Sequence, residues 1–192
     1  MVNFERVLGE VEKSCRDRSV YMLGPEKADF ISALVKQKNP SLAVECGTAI
    51  GYSGLWIARA LKENGQGKLI TLEIDSARAQ EARKNFAEAE VGQWIDSRIG
   101  DAEDLLHALD ERIDFLFLDN DYGNYMGCFR AAEPNLQDGA MIVADNVGVG
   151  ASSMAEYLEL VRSRYDSYTR WFNTDLPWLT KDAVEISKYR AV

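Results

Sequence analysis

The feature that most narrows the fold of this chain is a repeated alternation. Four short apolar runs occur: Leu42-Ala43-Val44, Leu69-Ile70-Thr71-Leu72, Ile113-Asp114-Phe115-Leu116-Phe117-Leu118 and Ala140-Met141-Ile142-Val143. Each is followed by a turn and a stretch of helical spacing. Runs that are apolar nearly throughout, rather than at every second position, suit strands covered on both faces, as in a parallel sheet with helices above and below. Trp94–Ile99 is a fainter strand of the same series. The alternation predicts one α/β domain over residues 1–192, a doubly wound, Rossmann-like sheet with right-handed crossovers. The end of the chain breaks the rhythm. Ser167–Phe172 and Ala183–Lys188 read as strands with no helical pattern between them, and are expected to pair as an antiparallel hairpin at a sheet edge. At the start, residues 3–17 set Phe4, Val7, Leu8 and Val11 at helical spacing. Pro25 suits the first turn of a second helix with Phe30, Ile31, Leu34 and Val35 inward, which Asn39-Pro40 ends.

Bulk properties exclude several classes. A chain of 192 residues, 46% hydrophobic and 28% charged, has the composition of a globular domain with one proper core. No apolar run reaches the roughly 18 residues of a membrane span, so a soluble protein is expected. The first residues lack the basic head and apolar core of a secretory signal. Three scattered cysteines, Cys15, Cys46 and Cys128, favour reduced thiols over a disulfide framework, and with it a cytoplasmic location. With 31 acids against 22 bases, a net charge of −9 offers no footprint for a phosphate backbone, so nucleic acid is not an expected partner.

In open α/β sheets ligands bind beyond the carboxyl ends of the strands. After the first run stands Glu45-Cys46-Gly47-Thr48-Ala49-Ile50-Gly51-Tyr52-Ser53. Two glycines four apart give a tight turn that lets a ligand approach the backbone, and a helix beginning near Tyr52 would direct free N–H groups at an anion. The spacing is not that of a dinucleotide pyrophosphate loop. After the second run Glu73, 22 residues past Gly51, is placed to take both hydroxyls of a ribose; alone it reads equally as a solvated acid or a helix cap. After the third, Asp101 in Gly100-Asp101-Ala102-Glu103 reads equally as an acceptor for an adenine amino group or as the N-cap of a helix over Ala102–Leu109. After the fourth and fifth stand Asp119 and Asp145-Asn146. On neighbouring strands ~4.8 Å apart these would converge. A cation would relieve the repulsion between the acids, and an all-oxygen set selects a hard ion such as Mg²⁺ or Ca²⁺. The bland alternative is one acid capping a turn and the other facing water. His107, in a helical stretch, reads as a surface residue.

Taken together these residues resemble the cation-dependent O-methyltransferases, the catechol and caffeoyl-CoA group with its small prokaryotic members. The resemblance runs from about Tyr21 to Tyr189. Met22-Leu23-Gly24-Pro25-Glu26 is similar to the start of the family helix that lies over the cofactor. Glu45 through Ser53 is similar to the first motif, and Glu73 falls on the ribose-binding acid. Phe117-Leu118-Asp119 and Val143-Ala144-Asp145-Asn146-Val147 match the two metal-binding strand ends, and Asp182-Ala183-Val184-Glu185-Ile186 the last strand. The resemblance implies a mostly parallel sheet ordered 3-2-1-4-5-7-6 with an antiparallel last strand. It implies S-adenosyl-L-methionine held by Met22, Glu45, Gly47, Gly51, Tyr52, Ser53, Glu73, Asp101, Ala102 and Asp119. It also implies Mg²⁺ or another divalent cation on Asp119, Asp145 and Asn146, and methyl transfer to a small hydroxylated, catechol-like acceptor. One departure stands out: Tyr122 replaces the family's usual lysine three residues after Asp119, so Tyr122 and Asp119 are the candidate catalytic residues. A homodimer through the apolar face of residues 4–11 is expected, the alternative being that this face folds back on its own sheet. The competing readings are a metal-independent methyltransferase acting on nitrogen or carbon, a cofactor-binding protein without O-methylation activity, and a nicotinamide-dependent oxidoreductase.

Overall fold

The computed structural model describes residues 2–191. Seven strands alternate with seven α-helices. In chain order the elements are α1 (Val2–Arg18), α2 (Pro25–Lys38), β1 (Leu42–Cys46), α3 (Tyr52–Asn64), β2 (Lys68–Glu73), α4 (Ser76–Glu88), β3 (Ile95–Ile99), α5 (Ala102–His107), β4 (Ile113–Leu118), α6 (Tyr125–Ala132), β5 (Leu136–Ala144), α7 (Ala155–Arg164), β6 (Asp166–Leu176) and β7 (Leu179–Lys188). The strands form one sheet in the order β3-β2-β1-β4-β5-β7-β6. Strands β1 to β5 pair in parallel; β7 is antiparallel to β5 and β6. This is the order, with an antiparallel last strand, that the resemblance implied, and the terminal hairpin is present, its β6 arm running on to Leu176.

The sheet separates two cores. On one face Ala43, Phe115, Phe117, Val143 and Val184 pack under α1 to α4. On the other, Val44, Ile70, Leu116, Leu118 and Ile142 pack against Leu106, Phe129, Tyr157 and Val161 of α5 to α7. Alternate residues of one strand thus enter opposite cores, which is why the central strands are apolar throughout. Proline at the first turn of α2 and a left-handed Asn39 just past its end set that helix as read.

Two expectations change. Phe4, Val7, Leu8 and Val11 are all buried within this one chain, against the core shared by α3 and α4. The apolar face of α1 is therefore used on its own domain and gives no basis for a dimer contact. Strand β1 also runs two residues further than its apolar run, so Glu45 and Cys46 are strand residues. Glu45 points its carboxyl into the interior, where a carboxylate was not expected. Among the described residues no helix is long and apolar enough to cross a membrane.

Candidate active site

Strand ends, not loops alone, build the site. The N–H of Gly47 donates to the Leu72 carbonyl, that of Asp119 to Cys46, and that of Asp145 to Leu118. The ends of β2, β1, β4 and β5 are thereby tied in series, and the residues that follow them open onto one cavity of about 780 Å³, within the usual range for a small-molecule site. Met22, Gly47, Tyr52, Ser53, Glu73, Asp101, Ala102, Asp119, Tyr122, Asp145 and Asn146 all line it. Glu45 and Gly51 do not: Glu45 lies in β1 below the loop, and Gly51 is the N-cap of α3.

The glycine loop is sterically demanded. Gly47 has φ +102°, and a Cβ there would stand 2.1 Å from the Asp119 carbonyl oxygen; at Gly51, φ +96°, it would strike the Phe86 ring. Only glycine lets β1 and β4 approach this closely and α3 begin where it does. Below the loop, Thr71 donates to Glu45 Oε2 and shares a hydrogen bond with Thr48. The other Glu45 oxygen has no partner. Burial pushes the Glu45 carboxyl up to about 7, against hydrogen bonds from Ser53 and Thr71 and with the help of the nearby Glu73.

At the end of β2, Glu73 accepts the Ala49 N–H at 2.7 Å on one oxygen and the Asp75 N–H at 2.9 Å on the other. A carboxylate oxygen accepts more than one hydrogen bond. The two backbone donors fix the carboxylate and leave both oxygens acceptor capacity toward the cavity, a geometry suited to a vicinal diol. Asp101 is the N-cap of α5 and also lines the cavity. Its Oδ1 caps α5, accepting from Glu103 and Asp104, and its Oδ2 carries no such bond. Ile74, next to Glu73, is exposed on the cavity and supplies an apolar wall that the sequence did not single out. Tyr21 and Trp178 also line the cavity, with ring centroids 5.8 Å apart, edge to face.

The ends of β4 and β5 hold the largest departure. Asp119 and Asp145 do converge, but a lysine has entered beside them. Lys27, from the first turn of α2, is 1% exposed, and its Nζ lies 2.7 and 2.8 Å from the two oxygens of Asp145 and 2.8 Å from Asp182 Oδ2. Asp182, at the carboxyl side of the hairpin, also accepts from Asn146 Nδ2 at 2.8 Å and from the Gly148 and Val149 N–H groups. Burial would favour the neutral amine, but the carboxylates of Asp145 and Asp182 outweigh it and hold Lys27 as an ammonium. Burial likewise opposes a charged Asp182, yet Lys27 keeps its carboxyl below the usual range.

This arrangement does not fit the divalent cation expected on Asp119, Asp145 and Asn146. Both Asp145 oxygens already bind a cationic group, and Asn146 presents its N–H₂ to Asp182. Among the described residues no group of three or more His, Cys, Asp or Glu is disposed to hold a metal ion. The carboxylates foreseen by sequence are where they were expected, but their counter-charge is a side chain.

Tyr122 lines the cavity in a short 3-10 turn, its ring 6.5 Å from Tyr125. Burial and the charges of Asp182, Asp145 and Asp119 push its hydroxyl up, away from the lowering a base would need. Burial and the charge of Asp145 hold the Asp119 carboxyl well above the ordinary carboxylate range. Tyr125 is fully buried and its hydroxyl donates to the Asp145 carbonyl at 3.2 Å, steadying the end of β5.

A family model described as O-methyltransferase matches residues 5–175. The chain belongs to the O-methyltransferase family. It is 34% identical over 169 residues to a protein of Mycobacterium tuberculosis named "Probable O-methyltransferase", covering 81% of this chain and 71% of that one. It is 37% identical over 129 residues to the catechol O-methyltransferase of Niastella koreensis, where the match covers 65% of this chain and 58% of the relative. An O-methyltransferase from Bacillus cereus, solved in complex with SAH, shares the fold with a TM-score of 0.83 at 24% identity, over 96% of this chain and 91% of that one.

Two members of this buried polar network escaped the sequence reading: Lys27, and Asp182, which was read only as part of the last strand. A signal existed for the first. Lys27 stands beside Ala28 and one turn before Ile31, on the buried stripe of α2, where a lysine is uncommon unless paired.

Proposed function

We propose that this family member binds S-adenosyl-L-methionine and transfers its methyl group to the hydroxyl of a small, catechol-like acceptor. The observation that carries the reading is the division of the cavity. On one side Glu73, the free Oδ2 of Asp101 and the apolar Ile74 suit the ribose and adenine of the cofactor. On the other, Tyr21, Tyr122, Val149 and Trp178 form an aromatic and apolar rim suited to a flat ring. Asp119 lies between the two. The names of the relatives, O-methyltransferase and catechol O-methyltransferase, agree with an oxygen acceptor rather than nitrogen or carbon.

Transfer is a direct displacement. The acceptor oxygen forms a bond to the methyl carbon, the sulfur–carbon bond breaks with its electron pair leaving on sulfur, and the hydroxyl proton passes to a base. Alignment within the cavity supplies much of the rate. Asp119 is the group suited to take the proton. A carboxylate with a raised pKa is a better match to a phenolic hydroxyl than an ordinary one, and the positive sulfonium keeps it ionised. Tyr122, held protonated, forms the wall of the acceptor side and donates rather than accepts. Lys27, bound to both oxygens of Asp145, takes the place where a divalent metal would assist.

The test uses S-adenosylmethionine labelled in the methyl group and a panel of hydroxylated aromatics, with product identified as the methyl ether. Asp119→Asn is expected to lower turnover by about 10²–10⁴, the usual share of a general base, and Tyr122→Phe by less than about tenfold. The wild-type rate should rise with pH as Asp119 ionises. A Tyr122→Phe loss as large as that of Asp119→Asn would return the base to Tyr122. Label found only on nitrogen would overturn the acceptor class.

A further inference from the structure

The Lys27 ammonium has three N–H donors, and each has a carboxylate oxygen to meet, two on Asp145 and one on Asp182. It is not a surface lysine that strayed inward. It enters from α2, in the layer on one side of the sheet, and joins the end of β5 to the start of the antiparallel β7. Asp182 is saturated in turn by Asn146 Nδ2 and the N–H groups of Gly148 and Val149. The set Lys27, Asp145, Asp182 and Asn146 is a closed network in which one ammonium faces two carboxylates. Removing a buried partner from such a pair leaves an uncompensated charge, which folded proteins do not tolerate cheaply.

We propose that Lys27 is a built-in replacement for the divalent cation at this site, a positioning residue that fixes Asp145 and Asn146 and makes the chain's site refractory to metal. The inference rests on the methyltransferase reading for what the site does, and on the network alone for what occupies it. The ammonium supplies one positive charge where a dication would supply two. It reaches the carboxylates from behind, since Lys27 does not line the cavity. It therefore shapes the acceptor side without touching the acceptor. Recognition by chelation of two adjacent oxygens has no ion to work through, so the aromatic rim and Asp119 carry acceptor selection.

The experiment is titration of Mn²⁺ into the full chain, followed by electron paramagnetic resonance of the free ion and by thermal melting. The wild type is expected to leave the Mn²⁺ signal unchanged and to melt at the same temperature with or without it. Lys27→Met, similar in length but uncharged, exposes the carboxylates to a missing counter-charge. It is expected to take up one Mn²⁺ per chain and to be stabilised by it, while the double variant Lys27→Met with Asp145→Asn does neither. Lys27→Gln serves where the methionine variant does not fold. Saturable Mn²⁺ binding by the wild type that is lost in Asp145→Asn would overturn the proposal, as would a folded Lys27 variant with no gain of Mn²⁺. Calorimetry of the wild type with S-adenosylhomocysteine reports separately on the methyltransferase reading.

Discussion

At the residue scale the site is governed by where carboxylates find their partners. Glu73 is oriented by two backbone N–H groups, so the ribose contact proposed for it would form without reordering. Replacing it with alanine is expected to weaken S-adenosylhomocysteine by about 1–3 kcal/mol, the range for hydrogen bonds to a charged group. Unchanged affinity in a calorimetric titration would remove Glu73 from the ribose role. Glu45 poses the opposite case, an acid buried with one oxygen unpaired. Its folded-state pKa of about 7 lies above the ordinary value, so folding favours its protonated form. The stabilisation is fully present below pH ~4.5 and is lost as pH rises through about 7. The shift corresponds to roughly 3 kcal/mol at 1.36 kcal/mol per unit. Glu45→Gln is expected to melt with a flatter pH dependence than wild type between pH 5 and 8; parallel curves for the two proteins would contradict this. Residues of this kind mark the limit of sequence reading. The positions of Glu73, Asp101, Asp119 and Asp145 were legible because each ends or follows a strand, and strand ends converge by topology. Lys27 and Asp182 were not, because they come from an early helix and the last strand, and nothing local shows that an ammonium will fill the space between carboxylates.

At the element scale α1 and the terminal hairpin are instructive. The spacing of Phe4, Val7, Leu8 and Val11 shows an apolar stripe but not what covers it. The cover is α3 and α4 of the same chain, and Arg18, bonded to Glu81 of α4, closes the helix down. Leu8→Ala should therefore cost about 2–5 kcal/mol in chemical denaturation, as buried leucines do, with no change in mass by light scattering. A mass that falls by half on this substitution would restore the dimer contact. The hairpin was legible as two strands without a helix between them. Its role at the site was not, since Asp182 sits where β7 passes the end of β5 and only the register of the sheet places it there.

At the scale of the whole molecule, the doubly wound sheet explains why a chain of 192 residues can present ligand groups from five strand ends to one cavity. The fold was legible in outline because burial on both faces of a parallel sheet writes itself into continuous apolar runs. The membership of the O-methyltransferase family follows from residues spread over nearly the whole chain. The cavity is proposed to take S-adenosylmethionine and to work without a divalent ion. The most direct measurement is calorimetric titration of S-adenosylhomocysteine into protein kept in a metal chelator. One binding site per chain is predicted, with no heat from NAD under the same conditions. Binding that appears only when Mg²⁺ is restored, or a site that takes NAD in place of S-adenosylhomocysteine, would contradict it.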